Sequence, residues 1–262
     1  MSSFRERTAW IAALLLTAVA GTLFVAEAEE TPVERADVDL GEDLKLIELG
    51  PGLWRHVSTF VLVSRPTPAN GLVLMTESEA LLIDTPWTDD QTDRLLDWIE
   101  ENRGLSVEGV VATHFHPDCM GGIGAAHRRG IPTYGLSLTA ELAREDGSQP
   151  PKVLFTESLE LSLDGDHLEL FYPGPGHSHD NIVVWLEDRK VLFGGCLIKN
   201  AATKHIGYLG DAEVDRWAYS VEKVRARYPA AALIVPGHGQ PGGWDLIDNT
   251  LALVAEHAEE NR

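Results

Sequence analysis

From residue 44 onward the chain alternates short apolar runs with turn residues, and the period of each run assigns its element. Residues 44–49, 53–57, 60–63 and 72–75 read as strands, with residues 64–70, which hold Pro66 and Pro68, as a turn or loop between the last two. Residues 81–84 form a further short strand. Thr88 then caps a helix, with Gln91 as its capping-box partner and Leu95, Leu96, Trp98 and Ile99 on the buried face. Residues 107–112 are a buried strand, 121–129 a helix stopped by Gly130, and 137–145 a second short helix. Residues 159–163 and 168–172 pair as a hairpin around Asp164-Gly165-Asp166, and 182–186 with 191–193 as another. An amphipathic helix over 214–228, a strand over 231–235 and a closing helix from about Asp245 complete the pattern. Such βαβ alternation implies an α/β fold with sheets flanked by helices. Without repeat, low-complexity tract or linker, residues 29–262 are expected to be one domain.

The N-terminus departs from this pattern. Arg5 and Arg7 precede an apolar run over 9–26 that ends in Ala26-Glu27-Ala28, which reads as a signal peptide of residues 1–28 cleaved after Ala28. The competing reading is an uncleaved anchor, since the run approaches the length of a spanning helix. Small residues at Ala26 and Ala28, followed at once by Glu29-Glu30, favour cleavage, and no cysteine follows that would carry a lipid. The mature product is therefore expected to be soluble, periplasmic and free of a stable membrane anchor.

Charge narrows the partners. The formal net charge is -20, and Arg5, Arg7, Glu6 and Glu27 cancel within the leader, so the mature chain keeps it. That balance disfavours nucleic acid and anionic lipid, and it requires a local cation for any anionic substrate. Lys199 is the candidate. Cys119 and Cys196 could form one disulfide in an exported protein. Their neighbourhoods favour metal ligation by Cys196 instead, because Cys119 directly follows a histidine-rich run and Cys196 sits in Phe193-Gly194-Gly195-Cys196.

That run, His114-Phe115-His116-Pro117-Asp118, sits at the C-terminal end of a strand, and His177, Cys196 and His238 follow later, each beside glycine. His114, His116 and His177 can converge on one zinc ion and leave a fourth position for water. Asp118, Cys196 and His238 would then hold a second, with Asp118 projecting to the opposite side of the loop. Two ions about 3.5–4 Å apart form a hydrolytic arrangement. His56, His127, His167 and His257 read as structural or surface groups. Nothing in the spacing of His179 and His205 demands coordination.

With Gly121-Gly122, Phe171-Tyr172-Pro173-Gly174-Pro175-Gly176-His177, Asp180-Asn181, Leu197-Ile198-Lys199 and Val235-Pro236-Gly237-His238-Gly239, these residues resemble the metallo-β-lactamases, specifically the first subclass with its Asp-Cys-His second zinc site. Asp84-Thr85-Pro86-Trp87-Thr88 is similar to that family's segment before its first long helix. The resemblance covers the mature chain. It implies a four-layer αββα sandwich with two zinc ions at one edge, and opening of the β-lactam amide by a metal-bound hydroxide rather than a serine. It further implies that Asp118 orients the nucleophile and that Lys199 pairs with the carboxylate of penicillins, cephalosporins and carbapenems. Trp87 and Phe60 would contact substrate, Phe60 from a covering flap over 58–70. Tyr208 stands where the family commonly has an asparagine that helps bind the lactam carbonyl. Asp84 is either an acceptor for a ligand imidazole or a strand-end cap, and Cys119 either a thiol near the second zinc or a packed small residue. The expected enzyme is a monomer acting on small β-lactams and conferring resistance to them.

Two other classes make different demands. Sister metallo-hydrolases acting on thioesters, lactones or RNA commonly place a histidine directly after the aspartate, where this chain has Cys119. A zinc carrier needs neither a lysine beside the metal nor an open coordination position.

Overall fold

The computed structural model describes residues 37–261, so the signal-peptide assignment and its cleavage site lie outside the described residues. Two sheets stack face to face. The first has eight strands in sequence order: β1 (Asp37–Asp39), β2 (Leu44–Gly50), β3 (Leu53–Leu62), β4 (Arg65–Met75), β5 (Glu79–Ile83), β6 (Ser106–Val111), β7 (Thr133–Leu136) and β8 (Val153–Phe155). Pairing is antiparallel from β1 to β5 and parallel from β5 to β8. The second sheet comprises β9 (Ser158–Leu163), β10 (Asp166–Phe171), β11 (Val183–Leu186), β12 (Val191–Gly195) and β13 (Leu233–Pro236), with β13 parallel to β12 at one edge.

Alternation along the central strands explains the layering. Leu72, Leu74, Leu81 and Ile83 point between the sheets to meet Val184, Leu186, Val191, Phe193 and Val235. Their neighbours Val73, Met75, Ala80 and Leu82 point the other way, onto Leu95, Leu96 and Ile99 of α1 (Asp89–Arg103). On the second sheet Val183, Trp185, Leu192 and Ile234 face α5 (Val214–Arg227) and α6 (Asp245–Glu260), whose Trp217, Val221 and Ile247 are buried there. Strands buried on both faces need continuous apolar sequence, and these have it. The result is the expected αββα sandwich.

Several boundaries differ from the sequence expectation. The two strands expected over 53–57 and 60–63 are one, β3, which ends at Leu62, and the proline-bearing segment is the start of β4, joined to β3 by Val63 and Ser64 at φ 45° and 65°. A two-residue turn makes Leu62↔Arg65 the hydrogen-bonded closing pair. The next pairs alternate, so Pro66 and Pro68 fall opposite Val61 and Thr59 at non-hydrogen-bonded positions, where a missing N–H costs nothing. The expected helix over 121–129 is α3 (Ile123–Arg128), a short α2 (Pro117–Met120) that the pattern did not mark precedes it, and α4 (Ser137–Asp146) follows. A Cβ at Gly121 would collide with the Trp87 carbonyl, which holds the break between α2 and α3 tight against the loop before α1. Thr88 caps α1 as expected, accepting from Gln91 N at 3.2 Å, but the Gln91 amide donates to Asp43 and the Thr59 carbonyl rather than closing a capping box.

Candidate metal centre

The histidine and cysteine candidates stand on the segments that follow the C-terminal ends of strands, and Asp118 on α2, on one edge of the sandwich. His114 and His116 follow β6, His177 follows β10, Cys196 follows β12 and His238 follows β13. His116 is extended at φ -69°, ψ 153° and precedes Pro117, so the chain turns into α2 at once and swings Asp118 away from the imidazoles. The hydrogen bond from Ile182 N to Thr113 O, 2.9 Å, ties the second sheet to the end of the first beside His114.

Two donor groups result. His114 Nε2 and His116 Nδ1 lie 2.9 Å apart, and the His177 ring stands edge-on to both, with centroids 5.1 and 5.2 Å away. Burial foremost, with His116 next, pushes His114 down to about 3, and burial also lowers His177 well below its ordinary range. Both imidazoles are therefore neutral at physiological pH, the state that ligates metal. His116 Nε2 donates outward to Asp211 Oδ2 at 2.9 Å, which leaves the Nδ1 lone pair facing His114 and His177.

The second group gathers around Asp118. Its Oδ2 accepts from His238 Nε2 at 3.0 Å and lies 3.4 Å from Cys196 Sγ, while Oδ1 lies 4.0 Å from His114 Nε2. Burial alone would raise Asp118, but the hydrogen bond from His238 and the neighbouring imidazoles outweigh it and hold the carboxyl well below its usual range. Cys196 is brought down to about 6, first by the Cys119 thiol that donates toward its sulfur and against its own burial. A carboxylate and a thiolate buried side by side call for a cation between them. Cys119 is buried with its sulfur near Cys196 and Asp118, and both cysteines are free thiols, so no disulfide forms.

A cleft of about 580 Å3 opens over these donors. Leu62, Trp87, Phe115, Lys199, His205 and Tyr208 are among the residues that line it.

Comparison with known proteins gives the same assignment. The family profile described as "Metallo-beta-lactamase superfamily" matches residues 64–238. A "Metallo-beta-lactamase type 2" of Bacteroides fragilis is 36% identical over 242 residues, covering 91% of this chain and 97% of its own, and one of Bacillus cereus is 35% identical over 244, covering 93% and 95%. The chain belongs to the metallo-beta-lactamase superfamily. Among solved structures, a metallo-beta-lactamase from Pontibacter korlensis superposes with a TM-score of 0.78 at 37% identity, covering 81% of this chain and 99% of that one. The FIM-1 enzyme of Pseudomonas aeruginosa, in its mono-zinc form, does so with 0.78 at 30%, covering 84% and 99%.

On this metallo-beta-lactamase scaffold the remaining candidates are placed as follows. Lys199 lines the cleft with Nζ 5.1 Å from the Trp217 ring centroid, and Tyr208 is 62% exposed with its ring edge-on to His116 at 5.6 Å. Trp87 is in the wall. Phe60 stacks behind it, centroids 5.7 Å apart, while Leu62 and Thr67 are the flap residues that face the cleft. The Asp84 carboxyl takes no ligand imidazole: at φ 57° it accepts from Thr113 N and Oγ1 at 2.7 and 2.8 Å, so it caps the strand end that carries His114. His205 joins the cleft wall, whereas His179 pairs with Glu213 at 2.9 Å. Sequence reasoning missed Asp211, Asn200 and Asp146, all on the cleft wall. Any of them reads as an ordinary loop polar residue in a chain with 41 acidic residues.

Proposed function

We propose that this chain hydrolyses the ring amide of β-lactam antibiotics with two zinc ions, one held by His114, His116 and His177 and the other by Asp118, Cys196 and His238. The observation that carries the proposal is the meeting of a three-imidazole group and an Asp-Cys-His group across Asp118, at the floor of a cleft that also holds Lys199. Bound there, the ions would supply Lewis acidity toward the carbonyl and a nucleophile drawn from water at neutral pH.

The chain's own residues do the rest. The Lys199 ammonium is the local cation that a molecule of charge -20 needs in order to hold the carboxylate shared by penicillins, cephalosporins and carbapenems, all of which we include as substrates. Asp118, facing both donor groups, orients the attacking water. Trp87 and the flap residues exclude solvent from the lactam, and Tyr208, on the cleft wall beside His116, would donate to its carbonyl. No side-chain nucleophile is required, so no acyl-enzyme forms. The expected result is loss of chromogenic cephalosporin hydrolysis on adding a chelator and its return with zinc. Turnover indifferent to the chelator would overturn the reading.

We further propose that residues 1–28 are a signal peptide and that the mature enzyme works as a periplasmic monomer, conferring resistance there. Support comes from Arg5 and Arg7 before the apolar run and from the small residues Ala26 and Ala28. N-terminal sequencing of the exported product should begin at Glu29; a product retaining residues 1–28 would refute this.

A further inference from the structure

The loop that carries His238 has unusual supports. Its four carbonyls, from Pro236 to Gly239, all accept hydrogen bonds, and three of them from one residue. Asn70 N donates to Gly237 O at 2.8 Å, and Asn70 Nδ2 donates to Pro236 O and to Gly239 O, each at 2.8 Å. An amide nitrogen has two hydrogens, and here each has its own acceptor on either side of His238. The fourth carbonyl, His238 O, accepts from Asn200 Nδ2 at 3.2 Å. Two residues before Asn70 on the same strand, Pro68 O accepts from His238 Nδ1 at 2.7 Å, which turns Nε2 toward Asp118.

The opposite face of the loop has no slack. Gly237 N donates to Gly195 O at 2.7 Å, and a Cβ at Gly237 would lie 2.5 Å from Cys196 Sγ. The loop is thus pressed against one ligand and held from behind by Asn70, which is 3% exposed and whose hydrogen bonds go to the loop backbone. From this geometry we infer that Asn70 is the positioning residue of the second cation site, setting the reach of His238 toward Asp118 and Cys196 through the β4 backbone. The hairpin over the cleft and the second site then share one strand, since the segment bearing Thr67 on the cleft wall continues into Pro68 and Asn70. His114, His116 and His177 have no such tie to Asn70, so the first site does not depend on it.

This inference rests on the proposed second site, and the test separates the two. Metal-free protein is titrated with cobalt(II), and the thiolate-to-cobalt absorption, which arises only when Cys196 binds, is followed against total cobalt bound. Asn70→Leu keeps the branched shape and removes both amide donors; Asn70→Asp keeps the size and serves if the leucine variant does not fold. Each variant should weaken the thiolate-reporting site about 10- to 100-fold, as loss of a ligand's supporting hydrogen bonds does, and leave the other site within about threefold. Equal constants in wild type and variant, or equal weakening of both sites, would overturn the role of Asn70. Wild-type protein that takes up no second ion would instead dismiss the second site itself.

Discussion

Removing the Lys199 ammonium tests the substrate assignment most directly, because the side chain is the cation the cleft presents beside the metal ligands and the chain as a whole repels anions. Burial lowers the Lys199 pKa and the neighbouring Cys196 and Asp118 oppose that shift, so the amine sits in a site where a counter-charge is worth more than in water. A charge-assisted hydrogen bond of this kind contributes about 1.5–3 kcal/mol. At about 1.4 kcal/mol per decade, Lys199→Ala should raise KM for a penicillin roughly 10- to 100-fold. Because the substrate carboxylate is bound equally in ground and transition states, kcat should change little. The variant also loses the contact of Nζ with the Trp217 ring, which for a desolvated pair contributes about 2 kcal/mol to stability. Steady-state kinetics on a penicillin and on its neutral carboxyl ester supply the check. The ester should bind wild type and variant alike; an equal KM rise for both substrates would refute carboxylate recognition.

Two further outcomes follow from residues outside the ligand set. Asp211→Asn removes the carboxylate that fixes the His116 tautomer at 2.9 Å, and should weaken the three-histidine site about 10-fold or more while sparing the thiolate site; competition titration against a chelating indicator would show otherwise if the first constant stayed put. His56 is buried, donates from Nε2 to Asp84 O at 2.9 Å, and is lowered by burial to about 4 from its ordinary 6.5. Between those values the unfolded chain binds a proton that the native state refuses, so stability is full above pH 6.5 and declines as pH falls toward 4. The decline attributable to His56 is about 2 kcal/mol from pH 7 to pH 5, and His56→Leu should lose that much less in urea unfolding. Identical pH slopes in the two proteins would exclude it.

The ligand set was legible because few residue types bind zinc and because each follows an apolar run, so chemistry and strand ends coincide in the sequence. The sandwich was legible for the same kind of reason, since β5 and β12 are apolar on both faces. The supports around the ligands were not. Asp211 lies 95 residues beyond His116, and its meaning is created only by the fold. Asn70 was hidden by a rule applied correctly to the wrong register: Pro66 and Pro68 mark a loop unless both fall on non-hydrogen-bonded positions, and the two-residue turn at Val63-Ser64 puts them there. The strands β1, β7 and β8 are three or four residues long, too short for a period to mark them, and exist through pairing with neighbours. Of the two readings of Asp84, imidazole acceptor or strand-end cap, the fold selects the cap, because its backbone at φ 57° aims the carboxyl at Thr113 on the adjacent strand end.

Neither donor group belongs to one half of the sandwich. The three-imidazole group takes His114 and His116 from the end of β6 in the first sheet and His177 from beyond β10 in the second. The other takes Asp118 from the first half and Cys196 and His238 from the second. A dication in either place therefore closes the same seam that Ile182 N to Thr113 O and Asn70 N to Gly237 O close by hydrogen bonds. An ion that binds the folded chain and not the unfolded one adds about 2.7 kcal/mol of stability when present at a hundred times its dissociation constant. That contribution acts at the edge where the two sheets meet, so catalytic geometry and the cohesion of the halves depend on the same side chains. The strand ends can then be spared the bulky apolar contacts that would otherwise fill the edge, which is what leaves room for a cleft there.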